Sequence, residues 1–159
     1  MAATVSEIEG VYRTRYPAFL RAACAITGEQ SRAADAVQDG FARALASRTT
    51  FRGDGPLEGW LWRIVVNAAR AARPREDAEL PDEPDLRGDD AADDSDPYGV
   101  HAWLASRPER ERLVVFLRYF ADLDYRAIAV ALEIEVGTVS ATLHAAHSAL
   151  RRTLEEARR

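Results

Sequence analysis

Residues 57–73 read LEGWLWRIVVNAARAAR, and the rest of the chain is organised around them. At helical spacing Leu61, Ile64, Val65, Ala68 and Ala72 form one apolar stripe, which predicts a helix with a buried side. A second row holds Trp60, Arg63, Asn67 and Arg70, spaced three, four and three residues apart, so these side chains stack along one face. A ring, two guanidiniums and an amide in one row suit unpaired nucleic acid. The ring stacks on a base, the arginines meet phosphates and the amide reads a base edge. The alternative is that Trp60 is core and the arginines are simply solvated.

Upstream, Ile8, Tyr12, Tyr16, Phe19, Leu20, Ala23 and Ile26 recur at three- and four-residue steps, predicting helix with a kink at Pro17 and a stop at Gly28. The kink divides this stretch in two and makes the Trp60 helix the fourth. Ser31 reads as the N-cap of a helix over residues 32–47, with Asp35, Gln38 and Asp39 on its polar side and Gly40 in its middle. Residues 48–55, RTTFRGDG, form a loop, and Pro56 suits the first position of the helix that follows.

Charge divides the chain. Residues 1–75 hold 11 Arg against 7 acids, residues 76–100 hold 11 acids against Arg87, and residues 101–159 hold 9 Arg against 8 acids. With its prolines and almost nothing to bury, the stretch 76–97 reads as a disordered, self-repelling linker whose charge could lie in a basic channel.

Beyond the linker, a short helix over residues 98–105 carries Trp103 and Leu104, and Leu113, Phe116, Leu117 and Phe120 make the next amphipathic face. Asp124 is placed to cap a helix over Tyr125–Leu132. A four-residue turn, 133–136, leads into a long helix with Val139, Leu143, Ala146 and Leu150 inward. Two helices joined this way predict a helix-turn-helix, an ordinary helical hairpin being the alternative. The fold class is therefore all-α, in two small helical domains (1–75 and 98–159) joined by the acidic linker.

Other chemistries are excluded by what the chain lacks. The single cysteine, Cys24, cannot close an internal disulfide and reads as a buried, inert thiol. His144 and His147 lie three apart with only His101 as a further imidazole, too few donors for a metal site. No Gly-rich phosphate loop or nucleophile elbow occurs, and the carboxylates cluster where nothing would hold them in a catalytic geometry. The expectation is a non-enzymatic cytoplasmic protein with no catalytic residue, cofactor, metal or membrane insertion.

In order and spacing, YPAFLRAACAITG, DAVQDGFARAL, FRGDGPLEGWLWRIVVNAAR and RPERERLVVFLRYFADLDYRAIAVALEIEVGTVSATLHAAHSALR resemble the extracytoplasmic-function (ECF) group of bacterial sigma factors over nearly the whole chain. The resemblance implies that the first lobe is region 2 and the second region 4. It implies that Asp35, Gln38, Asp39 and Phe41 dock on the β′ clamp helices of core RNA polymerase. Arg48, Arg52, Trp60, Arg63, Asn67 and Arg70 would open and hold the −10 promoter element as single strand. The linker would thread toward the polymerase active site, and region 4 would bind the β flap and the −35 element through Arg126, Thr138, Ser140, Ala141, His144 and Arg151. An anti-sigma factor is implied as a partner, and a monomer when free.

The last helix departs from the group's pattern. Ser140, Thr142, Ala145, His147 and Ser148 stand where basic side chains are usual, and each lost phosphate contact flattens the log–log salt dependence of DNA binding by roughly 0.9. Glu133 takes the usual glycine's place in the turn, and Glu135 that of the usual Ser N-cap. Weakened −35 binding is expected, with Arg118, Arg126, Arg151 and Arg152 as the remaining cations. A sigma-like decoy or co-regulator that binds polymerase or an anti-sigma factor without directing transcription is the second reading.

Overall fold

The computed structural model describes residues 1–74 and 99–159, which form seven α-helices, one 3-10 turn and no strand. The linker expected over 76–97 lies outside the described residues. The helices are α1 (Val5–Thr27), α2 (Gln30–Ala46), α3 (Leu57–Ala71), α4 (Val100–Ala105), α5 (Glu109–Tyr119), α6 (Tyr125–Leu132) and α7 (Val136–Ala157), with the 3-10 turn at Arg48–Thr50.

Local chemistry explains where α1 starts and stops. Thr4 Oγ1 accepts the Glu7 N–H at 3.2 Å while the Glu7 carboxylate accepts the Thr4 N–H at 2.8 Å, closing a capping box. The Thr4 N–H first, and then the Thr4 hydroxyl, which donates to the same carboxylate at 2.9 Å, hold the Glu7 carboxyl below its usual range. Gly28 ends the helix in the left-handed region at φ 78°, its N–H donating to the Cys24 carbonyl. The helix runs through Pro17 without a break, so the row-bearing helix is the third and not the fourth. Pro17 lies on the exposed side, where the carbonyl freed by its missing N–H can turn to water. Two further starts differ from expectation by a residue or two. Glu29, in extended backbone, precedes α2 and leaves Ser31 inside its first turn, and Pro56 occupies the cap position of α3.

Helices α1, α2 and α3 pack on one another around Phe19, Val37, Phe41, Leu61, Trp62, Val65 and Val66. Trp62 stacks on Phe19 with ring centroids 3.9 Å apart, and the Phe41 edge meets Phe19 at 5.0 Å and Tyr12 at 4.9 Å. Gly40 has a packing reason to be glycine: a Cβ there would lie 2.9 Å from Val65 Cγ2 and 3.1 Å from its Cα. Gly40→Ala is thus expected to lose stability despite the roughly 1 kcal/mol that alanine adds to a helix. Overpacking of this kind costs about 1–3 kcal/mol, read as a lower urea midpoint at unchanged m.

Helices α4–α7 enclose Leu104, Leu113, Leu117, Leu123, Ile128, Leu132, Val139 and Leu143. Asp124 Oδ1 accepts the Ala127 N–H at 2.8 Å and caps α6 as expected. Glu133 ends α6 in the left-handed region at φ 55°, ψ 45°, a conformation that costs a non-glycine residue about 1–2 kcal/mol. After it α7 leaves at 105° to α6, and Glu135 gives its N-terminus no side-chain hydrogen bond.

The two bundles do not stand apart. Helix α6 lies along α3, and one apolar core runs through both bundles. The close approach is set at Gly59, where a Cβ would meet the Ala127 carbonyl oxygen at 3.0 Å and Val130 Cβ at 3.3 Å. Helix α3 is consequently covered on two sides, by α1 and α2 on one and by α6 on the other. Its buried residues, Gly59 to Trp62, Val65, Val66, Ala68 and Ala69, wrap most of the way around it.

Candidate nucleic-acid interface

The helical repeat of α3 does bring Trp60, Arg63, Asn67 and Arg70 to one side, but they do not form an open row. Trp60 is only 7% exposed, its ring lying against Phe51 at 5.4 Å beneath the end of the 48–55 loop. The expectation of an outward-facing indole is corrected: the alternative, Trp60 as core, holds for the ring. The reason is physical. An indole is the largest apolar surface in the row, and Phe51 on a tethered loop is close enough to take it out of water. Arg63 is half-buried and makes no ion pair among the described residues, and Asn67 is exposed. Arg70 is half-buried and its Nε donates to Glu109 Oε1 at 3.1 Å, while Arg73 bonds the other oxygen of the same carboxylate.

The loop beside the row is fixed at several points. The Ala3 N–H donates to the Arg48 carbonyl at 3.2 Å, and the Met1 amine to the Arg52 carbonyl at 2.9 Å. The half-buried Arg48 guanidinium turns back to the Leu45 carbonyl at 2.9 Å, leaving the exposed Arg52 as the loop's solvent-facing cation. From the far side, the Arg126 guanidinium of α6 donates to the Asp54 carbonyl. Arg126 was expected on a duplex-facing surface of the second bundle. It is exposed, and this bond turns it toward the first bundle's loop. Glu109 was not singled out in the sequence, where it is one acid among many in RPERER. Its role depends on a contact 39 residues away along the chain.

Comparison with known proteins decides what this arrangement belongs to. Residues 11–78 match sigma-70 region 2, and residues 104–150 match sigma-70 region 4. The RNA polymerase sigma-E factor of Streptomyces coelicolor is 31% identical over 154 residues, covering 94% of this chain and 87% of that protein. The chain is an ECF sigma factor of the sigma-70 family. The sigma-H factor of Pseudomonas aeruginosa is 30% identical over 141 residues (77% of this chain, 73% of that one). The ECF sigma-E factor of Escherichia coli is 28% identical over 134 residues (73% and 70%). Two solved structures share the fold. CnrH in complex with the cytosolic domain of CnrY has a TM-score of 0.68 at 22% identity, over 97% of this chain and 91% of that one. The sigma factor RpoE in complex with the anti-sigma factor NepR, from Bartonella quintana, has a TM-score of 0.69 at 18% identity, over 95% and 98%. Family membership places the protein among the regulators of transcription initiation that act through RNA polymerase and promoter DNA.

The remaining surfaces of this sigma factor can be read against that family. On α2, Asp35, Gln38 and Asp39 are exposed, with Asp39 paired to Arg43 at 2.9 Å. Phe41 is only 5% exposed and belongs to the aromatic core with Tyr12 and Phe19, which corrects its expected role as a surface contact. It forms instead the floor of a groove between α1 and α2 bordered by Val5, Tyr12, Gln38 and Leu45. On α7, Ser140, Ala141, His144 and Arg151 are exposed on one side, whereas Thr138 is half-buried away from them and its carbonyl accepts the Thr142 hydroxyl at 2.7 Å. The open side of α7 therefore carries Arg151 as its cation among these residues. No single helix among the described residues is long and apolar enough to cross a membrane.

Proposed function

We propose that this sigma factor directs core RNA polymerase to promoters and opens the −10 element through Arg63, Asn67 and Arg70, with Arg48 and Arg52 of the adjoining loop. The observation that carries this reading is the alignment of two guanidiniums and an exposed amide along one side of α3, beside a tethered loop. The arginines neutralise the backbone of the separated strand, Asn67 reads a base edge, and Trp60 braces the adjoining loop from beneath through Phe51. No covalent step is involved. Asp35, Gln38 and Asp39 supply an acidic, amide-bearing face for the β′ subunit, with the Phe41-floored groove beside it. In this reading residues 1–75 act as region 2, 76–97 as a linker and 98–159 as region 4, which reaches the β flap and reads −35 DNA only weakly through the α7 side bearing Ser140, Ala141, His144 and Arg151. An anti-sigma factor is its partner in the cytoplasm, supported by the two fold neighbours, each in complex with a partner.

In-vitro transcription with purified core enzyme tests the reading. A promoter-specific transcript, with permanganate-reactive thymines at −10, is expected. Core binding without any transcript from promoters mapped by polymerase pull-down would instead identify a decoy.

A further inference from the structure

The first half of the 48–55 loop holds itself. The Thr50 N–H donates to the Ser47 carbonyl at 2.8 Å, the Thr50 hydroxyl donates to the same oxygen at 2.7 Å, and the Phe51 ring lies against Trp60. The second half does not. Among the described residues the backbone of 52–55 makes no hydrogen bond within the loop, and two of its carbonyls are held from outside. The Met1 amine donates to that of Arg52 at 2.9 Å, and Arg126 of the other bundle to that of Asp54. Gly53, left-handed at φ 80°, turns the chain directly after Arg52, and a Cβ there would stand 3.9 Å from the Met1 nitrogen. Two residues on, the Ala3 N–H donates to the Arg48 carbonyl at 3.2 Å, Ala3 is buried, and Thr4 begins the capping box of α1. Residues 1–3 therefore run from a fixed helix start along the loop and bond both ends of its arginine-bearing stretch, 48–52.

We infer that residues 1–3 are a positioning strap for this loop: the Met1 and Ala3 nitrogens hold the Arg52 and Arg48 carbonyls, so that the Arg52 guanidinium is presented in one place to the separated strand. This rests on the proposed role of the loop at −10. Arg52 is the loop's exposed cation, and the Arg48 guanidinium is already turned back to Leu45, so Arg52 is the side chain through which the strap acts. A guanidinium on a wandering segment must give up backbone freedom each time it meets a phosphate. Holding that backbone beforehand removes part of the loss and raises affinity without adding a contact. Met1 and Ala3 touch no nucleic acid in this scheme.

The experiment uses holoenzyme assembled with purified core polymerase on a promoter mapped by polymerase pull-down, and reads open complex by permanganate at −10 across a salt series. A chain released from a cleavable fusion so that it begins at Thr4 lacks both donors but keeps the hydroxyl that caps α1. It is expected to lose about three- to tenfold in open-complex formation. The log–log salt slope should flatten by about 0.7, the share of one single-strand phosphate contact. In an Arg52→Ala background the same truncation is expected to cost less than about twofold, because the side chain it positions is gone. Ala3→Gly in the full chain keeps both donors and is expected to stay within about twofold of the parent. An equal loss from truncation with and without Arg52, no loss in the parent background, or a loss in Ala3→Gly as large as in the truncated chain would overturn the strap. The −10 role then stands, provided Arg52→Ala itself lowers opening. If Arg52→Ala changes nothing, or no form opens the promoter, the strap falls together with the loop's part in the proposed function.

Discussion

Trp62→Ala is expected to destabilise the protein by about 3–5 kcal/mol, the usual cost of emptying a large aromatic site in a packed core. Its side chain is fully buried and stacks on Phe19, which in turn holds the Phe41 edge, so the cavity opens where α1, α2 and α3 meet. Domains of this size are stable by only about 5–15 kcal/mol, so the variant would be partly unfolded near physiological temperature. Far-UV circular dichroism through a urea titration reads the effect directly. Trp62→Phe separates the ring's packing from its polar atom. The indole N–H of Trp62 finds no hydrogen-bond acceptor among the described residues, so phenylalanine loses volume but also removes a buried, unpaired donor. The two effects oppose each other, and a loss below about 2 kcal/mol is expected. A loss in Trp62→Phe as large as in Trp62→Ala would show that the stack on Phe19 is not what holds the three helices.

The second large effect concerns function. Arg63→Ala, Asn67→Ala and Arg70→Ala combined are expected to reduce open-complex formation by on the order of 100-fold or more, since each direct base or backbone contact is worth about 1–3 kcal/mol. Two missing phosphate contacts should also flatten the salt dependence of single-strand binding by about 1.4 in the log–log slope. Folding should barely change. Asn67 is exposed, Arg63 has no ion pair among the described residues, and the loss of the partly exposed Arg70 pair is worth at most about 1 kcal/mol. Trp60 is left out of this set deliberately. Its burial means that alanine there would disturb the loop and the core together, so a loss of activity would not report on DNA contact. Normal promoter opening by the folded triple variant would remove the −10 role from this face.

How far the sequence could be read depended on how local each feature was. The stop at Gly28 and the Asp124 cap were legible because each is settled by a few neighbouring residues and their backbone geometry. The apolar positions of α3 were legible for the side that meets α1 and α2, since a period of 3.6 marks one buried face. Trp62 and Val66 fell outside that stripe and were passed over, although both are fully buried, because the buried surface of α3 is much wider than a single stripe: Trp62 reaches Phe19 of α1 from beside it.

The sequence by itself determined an all-α fold, since the helices, the turn of the second bundle and the chemical character of the Arg63–Asn67–Arg70 side are written in short-range spacing, and the resemblance of four stretches to sigma factors supplied the family. Only the tertiary structure decided which of those side chains face water. Trp60 lies under Phe51, Phe41 lies in the core, Arg126 meets the Asp54 carbonyl, and Arg70 is held by Glu109. Each of those outcomes depends on a partner from another element of the fold. Helical phase sets the direction in which a side chain points, but exposure depends on what the rest of the chain places in front of it.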